Sequence, residues 1–153
     1  MQYQNYLVQL FMSKEKIFQG KTCLTEYQKD KNTIYFTFDG YVNVDETKSM
    51  YLKVLEFTKS NLVEAFVSDL RLVKGTFTQL NDWIITTMAP CKDRGLKITC
   101  MVVNEDAFTV FSAKSLAKKT SLLNQIFRSV EEAEEFIEVE LQKIHRKEEP
   151  DLE

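Results

Sequence analysis

The chain has 153 residues, enough for one domain with a real core and too few to expect two. Hydrophobic residues make up 44% and charged residues 28%, a balance that excludes a disordered chain. The net charge of −3 argues against nucleic acid as a main partner, because a phosphate backbone is met by a basic face.

The cysteines, Cys23, Cys91 and Cys100, are odd in number and have no CxxC spacing. They read as buried, reduced thiols, not as a disulfide framework or a zinc site. The opening MQYQNYLVQLFMSKEK lacks a basic region followed by a continuous apolar run and a small-residue cleavage site. No stretch approaches the roughly 20 apolar residues that cross a bilayer. The expectation is a cytoplasmic protein with no membrane span.

Residues 1–21 form an extension of uncertain structure, in which NYLVQLFMSKEKIF admits one or two helical turns before Gly20. KTCLTEYQ and NTIYFTFDGYV, parted by the polar turn KDKN, predict an antiparallel hairpin. Asn43 and Glu46 have the spacing of a capping box. The helix they open carries Met50, Tyr51, Val54, Leu55 and Thr58 on one stripe. EAFVSDL follows as a short apolar strand. Thr76 and Gln79 make a second box, opening a helix through Leu80, Trp83, Ile84 and Met88, which Pro90 and Gly95 close.

LKITCMVV is the most continuous apolar run and predicts a central parallel strand covered on both faces. A helix with Phe108, Phe111 and Leu116 comes next, then a weaker strand, LLNQIF. Ser129 and Glu132 open the last helix, whose apolar stripe is Ala133, Phe136, Ile137, Leu141 and Ile144; its EEAEEFIEVE run reads as a solvated face. The remaining residues, 146–153, form a polar tail. The order β-β-α-β-α-β-α-β-α implies an α/β domain over 22–145, an open mixed sheet with helices packed against it.

FDGYVNVDE before the first long helix, then SDLRLVKGTFTQLNDW, KITCMVVNEDAF and IFRSVEEAEEFI, in this order, resemble the STAS-like, SpoIIAA-like group of small bacterial proteins. The resemblance runs from Thr22 to Ile144. It implies a compact module that binds protein partners and sometimes small molecules. In the anti-sigma-factor-antagonist branch, a serine at the start of the helix after the third strand is phosphorylated, and the phosphate controls docking. The branch's Asp-Ser-Ser-Gly is absent here: the matching positions read Phe77, Thr78, Gln79 and Leu80. Thr78 falls on the first serine and Gln79 on the phosphorylated one, so whether Thr78 carries a phosphate stays open.

Asp39, Asp69 and Asp106 each follow a predicted strand, the placement that a metal or phosphoacceptor pocket would need. Such a pocket also needs a paired acid after the first strand and a lysine after the last, where Arg128 stands. Turn roles account for the aspartates, and no metal or cofactor is expected. Arg71 and Lys74, beside the helix start at Thr76, suit either an anion site or a solvated basic turn. His145 is the only histidine and lies near the polar end, so no Ser-His or Cys-His couple is visible.

The expectation is therefore a non-enzymatic regulatory or interaction domain that signals through protein binding. It would dock through the turn 69–79, with Asp69, Arg71, Lys74, Gly75, Thr76 and Thr78 as partner-binding residues. The alternative is a binding module for a small lipid-like, apolar or anionic ligand, held between sheet and helices around Trp83, Phe108 and Phe111. With Leu80 and Ile84 at core spacing on the same helix, Trp83 itself reads rather as core packing. A homodimer is left open.

Overall fold

The structure is a computed structural model that describes residues 2–5, 13–105 and 123–150. Its described elements are β1 (Lys14–Gln19), β2 (Cys23–Gln28), β3 (Thr33–Tyr41), α1 (Val44–Phe57), β4 (Ala65–Lys74), α2 (Asn81–Met88), α3 (Pro90–Asp93), β5 (Ile98–Val102), β6 (Leu123–Phe127) and α4 (Val130–Glu148). The strands form one sheet in the order β1-β2-β3-β4-β5-β6. β1, β2 and β3 pair antiparallel, and β3 to β6 pair parallel. The mixed α/β architecture is the one that the sequence implies.

Side-chain alternation divides the interior in two. Cys23 and Tyr27 of β2, with Ile34, Phe36 and Phe38 of β3, point to one face. There they meet Met50, Tyr51 and Val54 of α1, and Met88 and Cys91 from α2 and α3. On the other face, Tyr35, Ala65, Val67, Ile98, Cys100 and Val102 meet Ala133, Ile137 and Leu141 of α4. β5 is interior, between β4 and β6, and Ile98 and Val102 are fully buried. All three cysteines are buried free thiols.

Three sequence expectations are corrected. Residues 14–18 of the stretch that admits helical turns form, with Gln19, the edge strand β1. The fold provides what the local sequence lacks: β2 offers a free edge, and Gly20 closes the hairpin with its N–H on the Cys23 carbonyl, 2.8 Å away. Glu46 then clasps this hairpin to α1. Its carboxylate accepts from the Thr22 N–H at 2.8 Å and the Thr22 hydroxyl at 3.0 Å. A Cβ on Gly20 would collide with that carboxylate.

The second correction concerns Thr76. α2 begins at Asn81, and no side chain caps it. Thr76 and Thr78 spend their hydroxyls on each other, at 2.6 Å. The turn is instead organised by Phe77, whose ring meets Phe38 edge-on at 5.1 Å and whose carbonyl accepts the N–H groups of Leu80 and Asn81. Full burial of Leu80 contributes about 1.5–3 kcal/mol and partial burial of the Phe77 ring adds to it, against about 1 kcal/mol for a cap. Packing wins.

Third, the polar end is more ordered than a tail: α4 continues to Glu148, and Lys97 meets Glu148 at 3.5 Å. The helix expected around Phe108, Phe111 and Leu116 lies outside the described residues.

The other two caps form: the Glu46 N–H reaches Asn43 Oδ1 at 2.9 Å, and the Glu132 N–H reaches Ser129 Oγ at 3.2 Å. Asn43→Ala and Ser129→Ala should therefore each lower stability by about 0.5–2 kcal/mol. Thr76→Ala should stay within about 0.5 kcal/mol. Urea unfolding midpoints test this. A Thr76 loss equal to that of Asn43 would put the helix start back at Thr76.

Candidate functional site

β5 pairs with β4 only from Ala65 to Asp69. The rest of β4, through Lys74, pairs with β3 alone, so the ends of β3 and β4 project past β5 as a ribbon. Within the ribbon the register slips: Thr37 opposes Asp69, but Asp39 opposes Leu72. β4 therefore carries one extra residue, a β-bulge, which re-aims the side chains beyond it. Leu70 and Val73 both pack on the α1 face. Unbroken alternation would put Leu70 and Leu72 there together; the bulge turns Leu72 to the opposite face, with Asp39, Tyr41 and Lys74.

On that opposite face Tyr41 is 72% exposed and Leu72 is 60% exposed. On the parallel ladder Leu72 opposes Asp39 and Tyr41 opposes Lys74, so Tyr41 and Leu72 lie diagonally, one pair apart on the same face. Lys74 leans over the Tyr41 ring at 5.9 Å. Asp69 accepts from Arg71 twice through the guanidinium, at 2.9 and 2.7 Å, and once from the Arg71 N–H at 3.2 Å. Burial pushes the Asp69 carboxyl up, but the Arg71 bonds prevail and hold it below its ordinary range. The Asp69–Arg71 pair is thus internally neutralised, and Arg71 does not join Lys74 in a basic pair at the turn. Gly75 ends the ribbon at φ +86, where a side chain would be strained.

Beneath the turn, on the α1 face, lies a cavity of about 160 Å³. Phe38, Leu70, Val73, Phe77, Ile84 and Met101 give it an apolar wall, and Gly75 and Thr76 reach its rim. Trp83 is not part of it. That side chain is half-buried on α2 against the α1-side core, with the Lys48 ammonium 5.3 Å from its ring. Phe108, Phe111 and Asp106 lie outside the described residues. Among the described residues, no three His, Cys, Asp or Glu side chains converge as a metal site.

A wider cleft of about 630 Å³ opens at the other end of the sheet, beside α4. Its buried polar side chains are all partnered. Tyr35 donates to Glu134 at 2.8 Å, the Thr33 hydroxyl donates to the Lys31 carbonyl, and Glu64 accepts from Asn32 at 2.9 Å. His145, expected at the surface near the helix end, lies 2.7 Å from the nearly buried Glu64. These contacts tie α4 to the sheet. Size alone does not make this cleft the better site.

Nucleophilic chemistry finds little support in the thiols. Burial, then the Glu46 hydrogen bond, pushes Cys23 up to about 12. Burial alone pushes Cys100 up to about 12, and it also raises Cys91. Thiols held protonated at neutral pH are poor nucleophiles.

No protein-family model matches the chain, and no curated protein does. Among solved structures, the chain is similar to an uncharacterized protein of the DUF3478 family from Shewanella loihica PV-4, which has a SpoIIAA-like fold. The TM-score is 0.52 at 10% identity, over 82% of this chain and 92% of that one. The chain has a SpoIIAA-like fold, and at this identity the likeness carries no more than the fold. No described helix is long and apolar enough to cross a membrane.

Two outcomes follow from these contacts. The hydrogen bond and charge of Glu64 raise the His145 pKa above its ordinary 6.5. The stabilisation is thus fully present below that value and is lost as pH rises through the folded pKa. The urea midpoint should fall between about pH 6 and pH 8, and His145→Gln should flatten that fall. An unchanged pH profile in the variant would show that the contact contributes nothing. Trp83→Ala should cost about 1–3 kcal/mol, less than the ~3–5 kcal/mol of a fully buried aromatic. The same urea titration reads it.

Proposed function

We propose that the protein is a regulatory interaction domain, with no catalysis of its own, that docks a protein partner through the β3–β4 ribbon end and the turn 69–79. The observation that carries this reading is the pair Tyr41 and Leu72, large apolar side chains held well exposed on an ordered ribbon. Scattered exposed apolar residues need no explanation. These two are neighbours, and the bulge aims Leu72 away from the core it would otherwise join.

Around them stand the polar groups expected from the sequence. Asp69 and Arg71 form a rigid, paired edge, Lys74 supplies a positive charge, and the Thr76–Thr78 hydroxyl pair rims the turn. An apolar centre with a polar rim is the general form of a protein-binding patch. Thr78 is exposed, so a phosphate there would add negative charge to the turn and leave Thr78 only as an acceptor toward the Thr76 hydroxyl. The buried, protonated thiols are consistent with a non-catalytic role.

A photo-crosslinking residue placed at Leu72 in cells should give one discrete adduct. Placed at Leu52, 52% exposed on α1, it should give none. Tyr41→Asp should weaken the Leu72 adduct at least severalfold while the thermal midpoint holds. Equal labelling from both positions, or none from Leu72, would remove the ribbon as the docking surface.

A further inference from the structure

The cavity under the turn has a feature that apolar packing does not need. Tyr51, on α1, lines it and is 8% exposed; its hydroxyl makes no hydrogen bond among the described residues, and it is not one of the side-chain oxygens sealed away from solvent, so it keeps access to the cavity. A tyrosine hydroxyl on a mostly buried side chain normally has a partner, and here only what fills the cavity supplies one. Ser68 of β4 and Asn81 of α2, both half-buried, line the same cavity with side chains that are likewise unpartnered. Three open hydrogen-bonding groups thus line a cavity whose remaining wall is mainly apolar, with Phe38, Leu70, Val73, Ile84 and Met101, and has Thr76 and Asn104 as further polar members.

This is the composition of a small-molecule site: apolar walls with a few polar groups that fix orientation. The volume sets the size of the occupant. A cavity of about 150 Å³ lined by Leu, Ile and Phe is known to hold benzene, and this one is about 160 Å³. A single ring bearing one polar group meets the wall with its carbons and Tyr51 with its oxygen.

We propose that the cavity is a binding site for a small aromatic molecule carrying one hydroxyl or comparable hydrogen-bonding group, held by the Tyr51 hydroxyl. Burial keeps that hydroxyl protonated, so it donates to the ligand at neutral pH. The site shares Gly75 and Thr76 with the docking surface. It does not rest on the docking reading, since ligand binding requires no partner protein. An occupied cavity would stiffen the turn above it, giving a route from ligand to docking surface.

Phenol and benzene, titrated separately into the methyl-labelled full chain and followed by NMR, test the site. Phenol should shift the Met101, Ile84 and Val73 methyl signals, and bind about fivefold more tightly than benzene, the worth of one neutral hydrogen bond. Tyr51→Phe removes one oxygen with the ring unchanged, and should keep the fold and the benzene affinity while erasing the preference for phenol. Absence of shifts at those methyls up to the solubility limit would overturn the proposal. Equal affinity for the two molecules in the unsubstituted chain, or a phenol preference that survives Tyr51→Phe, would overturn it too. Leu72 crosslinking is not involved in any of these readings, so the docking proposal stands or falls separately.

Discussion

The proposed docking end of this molecule depends on one backbone event, the extra residue in β4 between Asp69 and Leu72. A strand interior to a sheet alternates strictly, so every residue past Asp69 would otherwise fall one step out of place. With the bulge, Leu70 and Val73 both face inward and close the cavity wall, while Leu72 faces outward beside Tyr41. The distortion is affordable because β5 has already ended: only β3 has to follow the slipped register. Asp69 consolidates it by taking the Arg71 N–H and guanidinium together.

Two ends of the sheet are held by different chemistry. At the ribbon end the contacts are aromatic and apolar, Phe38 on Phe77 and Phe36 on Tyr51, and several polar groups are left open. At the opposite end every buried polar side chain in the cleft beside α4 is engaged, with Glu64 and Glu134 as the two anchors. The first arrangement leaves capacity for binding. The second uses that capacity to fasten a helix. A single rule therefore separates the smaller cavity from the larger cleft, namely whether buried donors and acceptors already have partners.

The elements that were legible in the sequence are those whose signal is local. β5 announces itself by continuous apolarity, and α1 and α4 by period and by caps that do form at Asn43 and Ser129. The box at Thr76 has the same spacing and fails, since Phe77 and Leu80 gain more by burial than Thr76 could by capping. β1 was hidden because KEKIFQ has its apolar residues, Ile17 and Phe18, side by side and so shows no alternation; the strand owes its form to β2, and its ladder with β2 carries a bulge between Lys16 and Phe18. For the site, Gly75 and the polar residues of the turn were visible as turn chemistry. Tyr41, Leu72 and Tyr51 were not, because the roles proposed for them rest on the ladder register and on hydrogen-bonding groups left open to the cavity. The alternation of Leu70, Leu72 and Lys74 suggests the wrong face for Leu72, and only the ladder corrects it.

The bulge can be tested without knowing any partner or ligand. Hydroxyl-radical footprinting with mass spectrometry reports, residue by residue, which side chains meet solvent in the folded chain. The account predicts strong oxidation of Tyr41 and Leu72 together with protection of Leu70 and Val73. Strong labelling of Val73 with Leu72 protected would mean that β4 runs without the bulge, and both faces built on it would be lost.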